Sequence, residues 1–105
     1  MYLVREIMYC KPGKVRPLVE MFKSMSRLSE RMGMPKMKIM TDFCAEQYWT
    51  LVAEMEVPDL QSFEKMIAGP PPGASADDLK EFGKIMSDYH EFVVRGKREI
   101  YKIEG

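Results

Sequence analysis

Tyr2-Leu3-Val4-Arg5-Glu6-Ile7-Met8-Tyr9-Cys10 decides the fold, because it carries β-forming side chains on both parities. Val4, Met8 and Cys10 fall on one side of an extended chain and Leu3, Ile7 and Tyr9 on the other. Such a stretch reads as a central strand covered on two faces. Lys11-Pro12-Gly13-Lys14 then turns the chain, and Val15, Leu18, Phe22, Met25 and Met32 recur at the spacing of an amphipathic helix. Pro17 falls in the first turn of that helix, where its missing N–H does no harm, and Gly33 stops it.

Further along, Lys36 to Phe43 and Tyr48 to Val57 read as two strands of a hairpin. The second alternates Trp49, Leu51, Ala53, Met55 and Val57 against Tyr48, Thr50, Val52, Glu54 and Glu56. Pro58 opens a short helix with Leu60, Phe63, Met66 and Ile67 on one face, ended by Gly69 and by Pro70-Pro71-Pro72, a triplet that cannot be helical. Ser75 and Asp78 form a capping arrangement for a second long helix, whose stripe runs Leu79, Phe82, Met86, Tyr89 and Val93. Gly96 ends this excursion, and Lys97 to Glu104 closes the chain as an edge strand, with Ile100 and Ile103 set among charges. The expected fold class is α+β: a ferredoxin-like βαββαβ unit with a four-stranded antiparallel sheet and an extra helix, spanning residues 1–105 as one domain.

Composition narrows the function. Sixteen basic and sixteen acidic residues cancel, and no Lys/Arg block marks a face for nucleic acid or anionic lipid. Arg5 and Glu6 interrupt the apolar start, so it reads as neither signal peptide nor membrane span, and a cytoplasmic location is expected. Cys10 and Cys44 read as reduced packing residues. His90 is the one histidine, with no companion at metal-ligand spacing, so no metal site is expected. If the helices cover one sheet face, Leu3, Ile7, Tyr9, Tyr48 and Val52 lie on the other, and a symmetric second copy is the simplest cover. A homodimer follows as the expectation. Arg5 and Glu54 share that parity, to pair across strands or subunits or to form a solvated rim.

The Tyr2-Leu3-Val4-Arg5 strand, the Lys11-Pro12-Gly13-Lys14 turn, the Trp49 strand running into Pro58-Asp59 and the closing Arg98-Glu99-Ile100-Tyr101 together resemble the dimeric α+β barrels, specifically the antibiotic-biosynthesis-monooxygenase-like and NIPSNAP-like groups. The resemblance implies dimerisation through the open sheet face and a site in each subunit between sheet and helices. It also implies a range of activities: cofactor-free oxygenation, haem degradation, isomerisation or none. Haem-degrading members use an asparagine, a tryptophan and a histidine together, whereas this chain has no asparagine, so no haem or other cofactor is expected.

Within such a site, Glu6 is the only charge on its strand face, placed either as a general acid or base or as half of an ion pair. His90 borders the stripe of the last helix, placed either as a proton shuttle or as a core-edge histidine. Trp49, Ala53, Met55, Met86 and Tyr89 are the candidate walls for a small apolar or aromatic substrate, and each serves equally as core. Gly83, in mid-helix, leaves room for a ligand or for a closely packed neighbour. Two functions fit these residues. One is a cofactor-independent monooxygenase or isomerase, which requires Glu6 and His90 to converge on one cavity. The other is a non-catalytic dimer that binds a ligand or partner, with Glu6 ion-paired and His90 open to solvent.

Overall fold

The computed structural model describes residues 1–69 and 73–105, so the Pro70-Pro71-Pro72 reading lies outside the described residues. The first strand, β1 (Tyr2–Cys10), leads through the Lys11–Lys14 turn into helix α1 (Val15–Arg31). Strands β2 (Lys38–Thr41) and β3 (Thr50–Val57) follow, then helices α2 (Leu60–Ile67), α3 (Ala76–Met86) and α4 (Tyr89–Phe92), and strand β4 (Val93–Lys102). The four strands make one antiparallel sheet in the order β2-β3-β1-β4. This is the ferredoxin-like α+β arrangement, with β1 central and β4 at an edge as the sequence predicts.

The two parities of β1 meet different surroundings. Val4, Met8 and Cys10 are buried, whereas Leu3, Ile7 and Tyr9 are only partly so. Leu18, Val19, Met21 and Phe22 of α1 pack on Met8, Cys10, Leu51 and Ala53, and Phe63 of α2 packs on Val4, Met55 and Val57. All the sheet residues in these two clusters share the helix-facing parity. On the opposite face Arg5 lies between its register partners Glu54 and Glu99, with its guanidinium 2.7 Å from Glu54 and 3.7 Å from Glu99. The pairing across strands therefore occurs within the chain.

Several boundaries differ from the sequence reading: β2 is shorter than Lys36 to Phe43 at both ends, and β4 starts at Val93 instead of Lys97 and ends at Lys102 instead of Glu104. Strand β3 starts at Thr50 because Trp49 takes a left-handed backbone conformation, φ 60°, which leaves the extended path. The turn before it is tied down by side chains: Asp42 Oδ1 accepts from the Thr50 N–H at 2.8 Å, and the Thr50 hydroxyl donates to Gln47 O at 2.8 Å. Trp49 thus lacks the parity that alternation assigned to it, and Tyr48 lies in the loop, 86% exposed, instead of on the open sheet face.

The second long helix is also broken. α3 stops at Met86, the Ser87 hydroxyl donates back to Lys84 O, and after one turn of α4 the chain is already extended at Val93. Ser87 and Asp88 have short polar side chains that compete with the helical hydrogen bonds at this break. Gly96, read from sequence as the end of the helical stretch, lies inside β4 opposite Met8. A Cβ there would stand 3.2 Å from Ile7 O, tighter than ordinary contact, so the glycine suits the close approach of the β1 backbone, while the Tyr89 hydroxyl, about 4.0 Å away, is at ordinary contact distance.

Candidate functional site

Between the sheet and the helices lies a cavity of about 440 Å³. α1 and its C-cap contribute Met25, Ser29 and Met32, and the connection to β2 contributes Met34 and Met37. Met55 rises from β3, Phe63, Met66 and Ile67 come from α2, and Phe82 and Met86 from α3. Seven of the eleven methionines in the chain therefore line one space. Methionine has a flexible, polarisable side chain that fits irregular apolar ligands and makes favourable contacts with aromatic rings.

The charged groups on this wall are Glu6 and Arg98, which face each other in the β1–β4 register. Arg98 Nε donates to Glu6 Oε1, and the guanidinium also lies over the Phe63 ring, 5.1 Å from its centroid. The Glu6 side chain is 22% exposed and that of Arg98 45%, so the pair sits at the cavity edge within reach of water. It offers a ligand an acceptor and several N–H donors side by side.

On the other side of Glu6 is a shallower depression lined by Ile7, Met8, Tyr89, Gly96 and Lys97. Burial pushes the Tyr89 hydroxyl above its ordinary value, and the negative Glu6 adds to this. Tyr89 therefore stays a neutral hydrogen-bond donor beside the carboxylate.

The predicted site residues separate into groups. Glu6, Met55 and Met86 line the methionine cavity. Ala53 is fully buried, directly opposite Glu6 on β3, and packs within the α1 core. Tyr89 lines the neighbouring depression together with Glu6. His90 is exposed on α4, with its ring edge-on to Tyr89 at 5.4 Å, and it does not line the cavity, so Glu6 and His90 do not converge there. The reason is the helix break: α3 ends at Met86 and His90 lies on the separate turn α4, so the helical steps that placed it beside the α3 stripe do not carry through. Trp49 stands elsewhere, beside Val15, Thr41, Asp42 and Tyr48 at the end of the β2–β3 hairpin. Gly83 has nothing within 4 Å of the place its Cβ would occupy, so it neither opens room in the cavity nor admits a close neighbour.

Sequence reasoning did not place Arg98 or Phe63 in the site, whereas methionines of this stretch, Met25, Met32, Met34 and Met37 among them, read from sequence either as the lining of an adaptable apolar cavity or as core. The register of β4 was the missing signal for Arg98. For the methionines, the cluster at Met32, Met34 and Met37 was itself visible.

A larger hollow of about 640 Å³ lies against β2 and β3, rimmed by Lys36, Lys38, Glu54 and Glu56. Its charged rim and sheet-edge position suit solvent better than an apolar ligand.

No protein-family model and no curated protein matches the sequence. Solved structures do match in shape. A protein from Agrobacterium tumefaciens superposes with a TM-score of 0.74 at 8% identity, over 99% of this chain and 94% of its own. A structure described as an antibiotic biosynthesis monooxygenase gives 0.71 at 11% identity, over 100% of both chains. An uncharacterised NIPSNAP domain protein from Burkholderia xenovorans gives 0.72 at 9% identity, over 100% of this chain and 96% of its own. Identities this low speak for backbone architecture and leave activity open. The chain has the ferredoxin-like α+β fold seen in antibiotic biosynthesis monooxygenase-like and NIPSNAP domain proteins.

Proposed function

We propose that this protein binds a small, mainly apolar molecule in the methionine cavity, one in each subunit of a homodimer. One observation carries the reading: sheet and helices enclose about 440 Å³ walled by thioethers and aromatic rings, with a single ion pair, Glu6–Arg98, among the described lining residues. A mostly apolar wall with a few convergent polar groups is the usual form of a small-molecule site. A flat ring bearing a hydroxyl or keto oxygen satisfies both parts. The dimer is supported by the open sheet face, where Leu3, Ile7, Tyr9 and Val52 are half-buried on the parity opposite the helix-packed core.

Catalysis in the same cavity is a second reading, favoured by the adjacency of Glu6 and Arg98. The carboxylate would take a proton from a phenol or an enolisable carbon, and the guanidinium would face the resulting anion. That step is common to cofactor-independent monooxygenases and isomerases. A neighbour in shape is described as an antibiotic biosynthesis monooxygenase, which agrees with this reading. His90 has no part in it.

Native mass spectrometry of the purified protein, alone and with a hydroxynaphthalene, tests the proposal. The expected spectrum is a dimer with one added ligand mass per subunit, and Met86→Trp, which fills the cavity, abolishes the addition. A monomer contradicts the dimer, and uptake undiminished by Met86→Trp contradicts the site. Proton exchange or oxygen consumption by the loaded dimer then separates the enzyme from the binder.

A further inference from the structure

A second cavity, of about 390 Å³, lies outside the first, between the α1–β2 connection and α2. Met32, Met34, Met66 and Gly69 line both. A side chain that lines two neighbouring cavities belongs to the partition between them. Met32, Met34 and Met66 thus border both cavities from three separate segments: the α1 C-cap, the connection and α2. The local chain explains the arrangement. In Met32-Gly33-Met34-Pro35-Lys36-Met37, Gly33 takes φ 80° and the Met34 N–H donates to Ser29 O at 2.9 Å, which folds Met34 back against the end of α1. Met37 lines the inner cavity close by.

We propose that this partition is a binding site for a soft monovalent metal ion, Cu(I) or Ag(I), held by the sulfurs of Met32, Met34 and Met66. Thioethers are soft donors that select Cu(I) over harder divalent ions. Among the described residues no group of three or more His, Cys, Asp or Glu is placed to hold a metal, so the thioethers have no competing cluster of harder ligands. Methionine's three rotatable bonds give each sulfur a wide reach, and Lys65, which also lines this cavity, is exposed, with a stem long enough to keep its ammonium in solvent. A thioether carries no proton to lose, so affinity should not vary with pH as it does for thiolate or imidazole sites. This goes beyond the organic-ligand reading and is separable from it, because neither Glu6 nor Arg98 lines the outer cavity.

The test is an anaerobic titration with Cu(I) against a coloured Cu(I) chelator. It uses the Cys44→Ser protein, since the exposed Cys44 thiol is a competing ligand. Cys10 is buried, and burial pushes its thiol up, which keeps the proton on it. The expected result is stoichiometric binding of equal strength at mildly acidic and neutral pH. Met34→Leu and Met66→Leu should each weaken it at least about tenfold, the scale on which even supporting groups of metal sites act. Leucine conserves volume, so these variants should fold, and thermal melts will check that they do. Met40→Leu should change nothing, since Met40 pairs with Val52 in the sheet and lies in neither cavity. Failure to compete with the chelator overturns the proposal. So does a Met66→Leu variant as harmless as Met40→Leu.

Discussion

Glu6 and Arg98 set the polarity of the cavity, and their exposure limits what they contribute to folding. A partly solvated ion pair of this kind is worth under about 1 kcal/mol. Glu6→Gln and Arg98→Gln should therefore each lower stability by less than about 1 kcal/mol in denaturant titrations. Loss of the charged acceptor, by contrast, should weaken binding of a hydroxynaphthalene about tenfold in Glu6→Gln, as measured by calorimetry. Equal affinity in the variant would remove Glu6 from the site. The position of Glu6 was legible from strand parity alone, because Glu6 interrupts the otherwise apolar row of Val4, Met8 and Cys10. Its partner was not legible, since a register shift of one residue would have moved Arg98 to the other face of the sheet. Trp49 misled for a related reason: alternation assumes extended backbone, and its positive φ breaks that assumption one residue before β3.

Helix ends and helix interiors offer sharper tests. The α2 N-cap Asp59 accepts from the Ser62 N–H at 2.7 Å, and this bond holds its carboxyl below the ordinary aspartate value of 3.8. With the folded value depressed, its contribution is present above the unfolded value and is lost as pH falls through the folded one. Wild type and Asp59→Ala should therefore differ in melting temperature at neutral pH and converge in strong acid; a gap independent of pH would contradict the cap. Gly83 makes the opposite prediction. It is mid-helix with open space around its Cβ position, so Gly83→Ala should raise stability by up to about 1 kcal/mol in thermal or denaturant unfolding. A destabilised variant would mean that an unseen neighbour packs there. The helices themselves were readable from apolar spacing and caps, including the Ser75–Asp78 pair, which bonds at 3.0 Å. The end of α3 was not. Tyr89 and Val93 continue a step of four that serves a helical stripe, yet Val93 opens β4 and pairs with Cys10. Periodicity cannot distinguish one further helical turn from the start of a strand.

At the scale of the molecule, the sheet is asymmetric: one face is sealed by α1 and α2 and the other carries half-buried apolar residues around the Arg5–Glu54 pair. The strand order and the central place of β1 follow from its two apolar parities and the charged composition of β4. The cavity does not, because its walls come from seven segments whose approach only the packed fold defines. That convergence is what makes a methionine cavity a ligand site in this account. The most direct measurement labels the methionine methyl groups with carbon-13 and follows them by NMR while a hydroxynaphthalene is added. Met25, Met55 and Met86, which line the inner cavity, should shift together and saturate, while Met1 and Met40, which lie away from it, stay still. Saturable shifts at Met40 with none at Met55 and Met86, or no saturable shift at all, would contradict the claim that this cavity is where the protein does its work.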